Sequence, residues 1–222
     1  SDAATGDNFC SVAIDGNTIV VGAYQDDSGG SGSAYVLRTS DGGATYVELA
    51  KLTASDPEMA AYFGKSVAID GDTIVVGSPY DDDVYVFRTT DGGATYDELA
   101  KLTASDAAEG DMFGWSVAID GGTIVVGTPY DDDAGLTSGS AYVFLTTDGG
   151  ATYGQVAKLT ASDAAGGDYF GWSVAIDGDT VVVGAVNAGK AYVFRTTDGG
   201  ATYGQVAKLT IADSTNGVDA FG

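Results

Sequence analysis

The sequence predicts an all-β fold, a β-propeller of four-stranded antiparallel blades, four of them in this chain. Three observations predict it. A Phe closely followed by Ser-Val-Ala-Ile-Asp-Gly recurs at Phe9, Phe63, Phe113 and Phe170, at spacings of 54, 50 and 57 residues, the length range of a propeller blade. Each repeat breaks into four short runs rich in Val, Ile, Thr, Tyr and Phe, separated by Gly and Asp, as strands joined by tight turns would be. No stretch combines helical periodicity with helix caps.

The third repeat shows the four runs most plainly: Ser116 to Asp120, Thr123 to Gly127, Ala141 to Thr146, and Tyr153 to Thr160, here strands A, B, C and D. Asp120-Gly121-Gly122 joins A to B, a hairpin signal in which Gly supplies positive φ. Strand B, Ile124-Val125-Val126, is apolar on both faces, so it belongs between two neighbouring sheets. Strand C alternates, with Tyr142 and Phe144 on one face and Val143 on the other. Strand D carries Lys158 among Val156, Ala157 and Leu159 and reads as a half-exposed outer strand. The blades fall at 1–60, 61–110, 111–167 and 168–220, and Phe221-Gly222 reads as the start of a further copy. The repeats would then continue into further blades, or pair with another copy or subunit, because an open propeller exposes apolar blade faces.

Length variation points to the functional face. From the Gly ending strand B to the Tyr of strand C the distances are 13, 8, 15 and 8 residues, while the remainder of each repeat stays at 41 to 43. Variation is tolerated, and function carried, in exposed loops. In an up-and-down blade the B–C loops and the D-to-A crossovers emerge together on one face of the ring.

Composition narrows the partners. The chain has 222 residues, 32 acids against 9 Lys and Arg, a formal net charge of −23, no His and one Cys. That balance excludes a nucleic-acid surface, which needs cations for phosphates, and an anionic membrane surface. No apolar run is long enough to insert into a bilayer. Without His, the usual general base and zinc ligand are missing. Cys10 reads as an inert, partly buried thiol.

The repeats resemble the FG-GAP repeat, the blade unit of integrin α-subunit propellers. The Phe-Gly half stands at Phe63-Gly64, Phe113-Gly114 and Phe170-Gly171, and a degenerate Gly-Ala-Pro half at Gly77-Ser78-Pro79, Gly127-Thr128-Pro129, Gly22-Ala23 and Gly184-Ala185. The resemblance implies propeller blades, an extracellular or cell-surface setting, and a non-enzymatic adhesion or interaction role with a protein or glycan partner. It does not bring the family's calcium loop, because the A–B connection is a tight Asp-Gly hairpin in all four repeats, too short to wrap six or more oxygens around an ion.

The C–D hairpins resemble a second propeller motif, the Asp-box, at Thr39 to Tyr46, Thr89 to Tyr96, Thr146 to Tyr153 and Thr196 to Tyr203. Asp41, Asp91, Asp148 and Asp198 are its acids, and a carboxylate there would bond backbone N–H groups across the turn. Sialidases carry such boxes together with clustered arginines. Here Arg38, Arg88 and Arg195 occupy one repeat position, as scaffold residues do.

The candidate binding residues are the B–C acids Asp26, Asp27, Asp81, Asp82, Asp83, Asp131, Asp132 and Asp133, with Tyr80 and Tyr130. Two readings stay open for these acids, a solvated charged rim and a cation or docking site. No cofactor is required. A metal, if held, would be calcium on Asp81, Asp83, Asp111, Asp131, Asp133 and Asp168, since Ca²⁺ accepts irregular oxygen shells. Trp115 and Trp172 follow the Phe-Gly pairs, at the position of Lys65, and read as packing between blades or as lining near the central channel. Two other functions compete with a binding module. One is a structural component of a surface layer, sheath or appendage. The other is a glycan hydrolase, which would need a carboxylate pair outside the repeat pattern.

Overall fold

The computed structural model describes residues 8–26 and 30–210. It contains four antiparallel sheets of four strands each, in simple up-and-down order. Blade one is β1 (Phe9–Asp15), β2 (Thr18–Ala23), β3 (Ser33–Arg38) and β4 (Val47–Leu52). Blade two is β5 (Ser66–Asp70), β6 (Thr73–Ser78), β7 (Asp83–Arg88) and β8 (Asp97–Leu102). Blade three is β9 (Ser116–Asp120), β10 (Thr123–Thr128), β11 (Ser140–Leu145) and β12 (Gly154–Leu159). Blade four is β13 (Phe170–Asp177), β14 (Thr180–Ala185), β15 (Lys190–Arg195) and β16 (Gly204–Thr210). The expected Phe221-Gly222 start of a further copy and Asp27 lie outside the described residues.

The first strands β1, β5, β9 and β13 approach one another in series. They are therefore the innermost strands, with β4, β8, β12 and β16 at the periphery. Three apolar clusters hold consecutive blades together. In the first, Val20, Val36 and Leu52 of blade one meet Phe63, Ile74 and Phe87, which enter from blade two. The second and third clusters repeat this with Phe113 and Phe170 in the place of Phe63. Each blade thus has two unlike faces: a Val-Ala-Leu face turned to the next blade and an aromatic face turned to the previous one. Phe63, Phe113 and Phe170 are essentially inaccessible to solvent, and each stacks at its edge with a strand-C Phe at about 6 Å.

Glycine sets the distance between blades. A Cβ on Gly22 would lie 2.0 Å from the Gly64 carbonyl oxygen, one on Gly77 2.1 Å from that of Gly114, and one on Gly127 2.0 Å from that of Gly171. Gly64, Gly114 and Gly171 have φ of 88°, 90° and 92°, open to Gly and costly for other residues. The Phe-Gly pair therefore drops the ring into the junction and lays its backbone directly on the glycine that ends strand B of the blade before.

Polar links repeat at every junction. Asp15, Asp70 and Asp120 accept the N–H of Gly71, Gly121 and Gly178 in the next blade, at 2.8, 2.6 and 2.5 Å. Arg38 and Arg88 each donate to a C–D turn carbonyl of the next blade, Gly92 and Gly149. The Ser55, Ser105 and Ser162 amides donate to Glu98, Gln155 and Gln205 of the next blade, all at 2.9 Å.

In each C–D turn one aspartate closes the loop. Asp198 accepts the Thr202 amide at 2.9 Å and the Thr202 and Thr196 hydroxyls at 2.6 and 2.7 Å. Asp41, Asp91 and Asp148 make the same set. These donors hold the Asp198 carboxyl down at about 2, the Thr202 hydroxyl contributing most. The other three carboxyls are also held well below the usual carboxylate range. A carboxyl depressed in the folded state stabilises above its unfolded value, and that contribution disappears as pH falls through the folded value. The melting temperature of Asp198→Ala should therefore lie below that of the unmodified chain by its full margin above pH of about 4. The margin should shrink towards pH of about 2, as read by thermal melts across that range.

Candidate binding face

The B–C loops and D-to-A crossovers emerge on the same face, and an aromatic surface lies at its inner end. Tyr62, Met112 and Tyr169 each precede a junction Phe and adopt φ of 60°, 62° and 54°. Non-glycine residues occupy that region only when the surroundings hold them there. The turn is closed by the amides of Lys65, Trp115 and Trp172, which donate to the carbonyls of Tyr62, Met112 and Tyr169 at 3.0 to 3.3 Å. The left-handed residue turns its own side chain onto the open face while the next residue, Phe, points into the junction.

Two aromatic groups result. Tyr62 stands between Tyr24 and Tyr80, with ring centroids 5.0 and 4.3 Å away. Trp115 and Trp172 lie 4.7 Å apart, with Tyr130 beside Trp115 at 5.9 Å and Tyr169 beside Trp172 at 6.0 Å. Tyr130 and Tyr169 close the group at 5.2 Å. Lys65 joins the two, its ammonium 5.4 Å from the Tyr24 ring centre and 4.8 Å from that of Trp115. Tyr80 is 50% exposed, and the other rings are half-buried.

The acids around this surface divide into paired and open groups. Asp26 is buried, accepting from the Tyr35 hydroxyl and ion-paired with Lys51 at 3.1 Å. Asp83 is buried against Lys101 at 2.6 Å. Asp131 is buried against Lys158 at 2.9 Å and accepts the Tyr142 hydroxyl at 2.8 Å. Asp133 also pairs with Lys158. The crossover acids Asp56, Asp106 and Asp163 join the same arrangement from the preceding blade, each accepting a Tyr hydroxyl (Tyr85, Tyr142, Tyr192) and facing the strand-D lysine. Each strand-D lysine of blades two and three thus serves two or three carboxylates at once, a buried one from the B–C loop and an exposed one from the crossover among them.

Other acids cap backbone. Asp82, itself at φ 55°, accepts the amides of Gly110 and Phe113, both at 2.9 Å. In the longer B–C loops a carbonyl does this work: Phe63 donates to Ser31 and Phe170 to Ser138, both at 3.0 Å. A carboxylate therefore replaces missing backbone in the short loop of blade two. Asp132 accepts the Thr137 amide at 2.6 Å, Asp111 the Ala108 amide at 3.0 Å and Asp168 the Ala165 amide at 2.9 Å. Among the described residues, no group of three or more carboxylates or thiols is placed to hold a metal ion.

Asp81 stands apart. It lines a cleft of about 410 Å³ with Glu58, Tyr80, Lys101 and Glu109. Burial first, and then the charges of Glu58 and Asp83, push its carboxyl up to about 6. Tyr80 belongs to both this cleft and the aromatic surface. Of the binding residues named from sequence, Tyr80, Tyr130 and Asp81 lie on the open face. Asp26, Asp83 and Asp131 are turned inward to lysines. Sequence reasoning missed Tyr24, Tyr62 and Tyr169. The available signal was an aromatic immediately before the junction Phe in two repeats and a Tyr soon after the strand-B Gly in three.

This is a propeller of tandem four-stranded blades. The FG-GAP repeat profile matches residues 1–37, 46–97, 96–144 and 153–203, and the chain belongs to that family. A comparison with curated proteins finds no match. Among solved structures it resembles a protein from Lactobacillus plantarum, with a TM-score of 0.63 at 16% identity, covering 94% of this chain and 58% of that one. It also resembles Sqt1 of Saccharomyces cerevisiae, with a TM-score of 0.58 at 12% identity, covering 92% of this chain and 48% of that one. The chain therefore spans about half to three fifths of these structures, and at such identities the likeness concerns the fold.

Asp81 and Asp82 are neighbours with opposite expected behaviour. Asp82→Ala strands two amides and should cost about 1–3 kcal/mol. A carboxyl raised in the folded state is destabilising once ionised, so Asp81→Asn should stabilise at neutral pH by up to about 1 kcal/mol, allowing for solvent screening. That gain should vanish below pH of about 4, where Asp81 is protonated in both states. Urea denaturation at pH near 7 and near 4 reads both.

Proposed function

We propose that this chain is a non-enzymatic binding module that presents its B–C and D–A loops to a protein or glycan partner outside the cell. The observation that carries the reading is the half-exposed aromatic surface of Tyr62, Tyr80, Trp115, Tyr130, Tyr169 and Trp172, held open by three left-handed residues and bordered by acids. Aromatic side chains supply much contact area for little ordering cost, and they concentrate binding energy at interfaces. The non-enzymatic part rests on how the repeated carboxylates other than Asp81 are used: they pair with lysines or cap backbone amides. The extracellular setting is proposed by analogy with the integrin members of the family, which work at the cell surface.

Trp115 and Trp172 are the two tryptophans of the chain, so their fluorescence reports on this face alone. Screening immobilised glycans and basic and neutral peptides should find a binder that shifts or quenches this emission. Trp172→Ala should weaken that binder roughly tenfold or more, about 1.4 kcal/mol. A binder that leaves the emission unchanged and binds Trp172→Ala equally well would place the contact elsewhere.

A further inference from the structure

Lysines in this chain are held by aspartates, with one exception. Lys51, Lys101 and Lys158 lie 3.1, 2.6 and 2.9 Å from Asp26, Asp83 and Asp131, and Lys190 and Lys208 lie 3.0 and 3.2 Å from Asp163. The remaining lysine is Lys65. Among the described residues no carboxylate pairs with it, in a chain of 32 acids. Its ammonium faces rings instead, 5.4 Å from the centre of Tyr24 and 4.8 Å from that of Trp115. Lys65 also breaks the repeat, since Trp115 and Trp172 hold the same position in the next two blades. Its backbone is fixed on both sides: the amide donates to the Tyr62 carbonyl at 3.0 Å, and the carbonyl accepts the Cys10 thiol at 3.3 Å. The side chain is half-buried, between Tyr24 of blade one and Trp115 of blade three.

An ammonium set among aromatic rings with no carboxylate of its own is a receptor for an anion from outside, and a charge-assisted hydrogen bond there is a strong one. We propose that Lys65 is the carboxylate-binding centre of this face and that its ligand is a glycan carrying an acidic sugar, uronic or sialic, among neutral ones. The proposal rests on the reading of this face as a binding surface. The surroundings favour a sugar over an acidic peptide. Tyr62 lies 5.0 Å from Tyr24 and 4.3 Å from Tyr80, and such rings offer their electron-rich faces to pyranose C–H groups and their phenols to sugar hydroxyls. A net charge of −23 repels a segment of many acids. A single carboxylate among neutral sugars meets far less of that repulsion. Nearby acids do not compete for the ammonium: Asp26 is engaged by Lys51, Asp83 by Lys101, and Asp82 caps Gly110 and Phe113.

Titration followed by tryptophan emission tests this. The probes are oligosaccharides ending in glucuronic or sialic acid, each beside its carboxyl-reduced counterpart, and an oligoglutamate peptide. One acidic sugar should shift the emission, and its carboxyl-reduced form should bind roughly tenfold more weakly. Lys65→Met should bind the two forms alike, while Lys65→Arg should keep the preference; circular dichroism checks that both variants keep their strands. Four results would each overturn the proposal. They are no binding of any acidic sugar, equal binding of the acidic and reduced forms by the unmodified chain, a preference that survives in Lys65→Met, and tighter binding of oligoglutamate than of every sugar. A neutral or basic ligand that shifts the emission when no acidic sugar does would overturn it and still uphold the binding face. A ligand that leaves the emission unchanged and ignores both Lys65→Met and Trp172→Ala would overturn both.

Discussion

The architecture depends on backbone touching backbone between blades. Where Gly22, Gly77 and Gly127 meet Gly64, Gly114 and Gly171, no side chain of any size fits. That approach brings the junction Phe to the depth at which it is closed off from water, and with it the Val-Ala-Leu face of the preceding blade. It also brings the A–B turns close enough for a carboxylate of one to cap the glycine of the next. The two halves of the family signature are thus one contact seen from two blades.

The open face is a by-product of the same constraint. A chain that must drop a Phe into the junction and then run along a glycine has to reverse sharply just before it. Tyr62, Met112 and Tyr169 make that reversal in the left-handed region. Tyr62 then packs against Tyr24 and Tyr80, Tyr169 against Tyr130 and Trp172, and the aromatic surface assembles around the inner strands. Strain at the crossover, burial of the Phe and display of the neighbouring ring are coupled consequences of one turn.

Much of this was legible in the sequence, and the limit was set by distance along the chain. Strand A of the third repeat was expected at Ser116 to Asp120 and is β9 over the same residues. Strand D was expected from Tyr153, but β12 begins at Gly154, because Tyr153 leaves the sheet to pack into the junction with blade two. β13 begins at Phe170, earlier than the repeat pattern implied, since a register shift lets Phe170 pair with Ala185 ahead of the regular ladder. The fate of the acids was not legible. Lys101 meets Asp56 from 45 residues away, and Lys158 meets Asp106 from 52. Nothing in a local pattern distinguishes an aspartate turned toward such a lysine from one facing water. Asp82 and Asp132 look alike in sequence, yet one caps the entry to the next blade and the other its own loop.

The central claim is that glycine-to-glycine contact, rather than glycine's flexibility, holds the blades at their working distance. Gly127 separates the two, since its own φ lies outside the left-handed region while its missing Cβ faces the Gly171 carbonyl. The equilibrium stability of Gly127→Ala, measured by urea denaturation against the unmodified chain, is the most direct test. The account predicts a loss of about 2 kcal/mol or more, because backbone must move apart along a whole junction. An alanine tolerated within about 0.5 kcal/mol, or one that stabilises as alanine does at a compatible strand position, would contradict it.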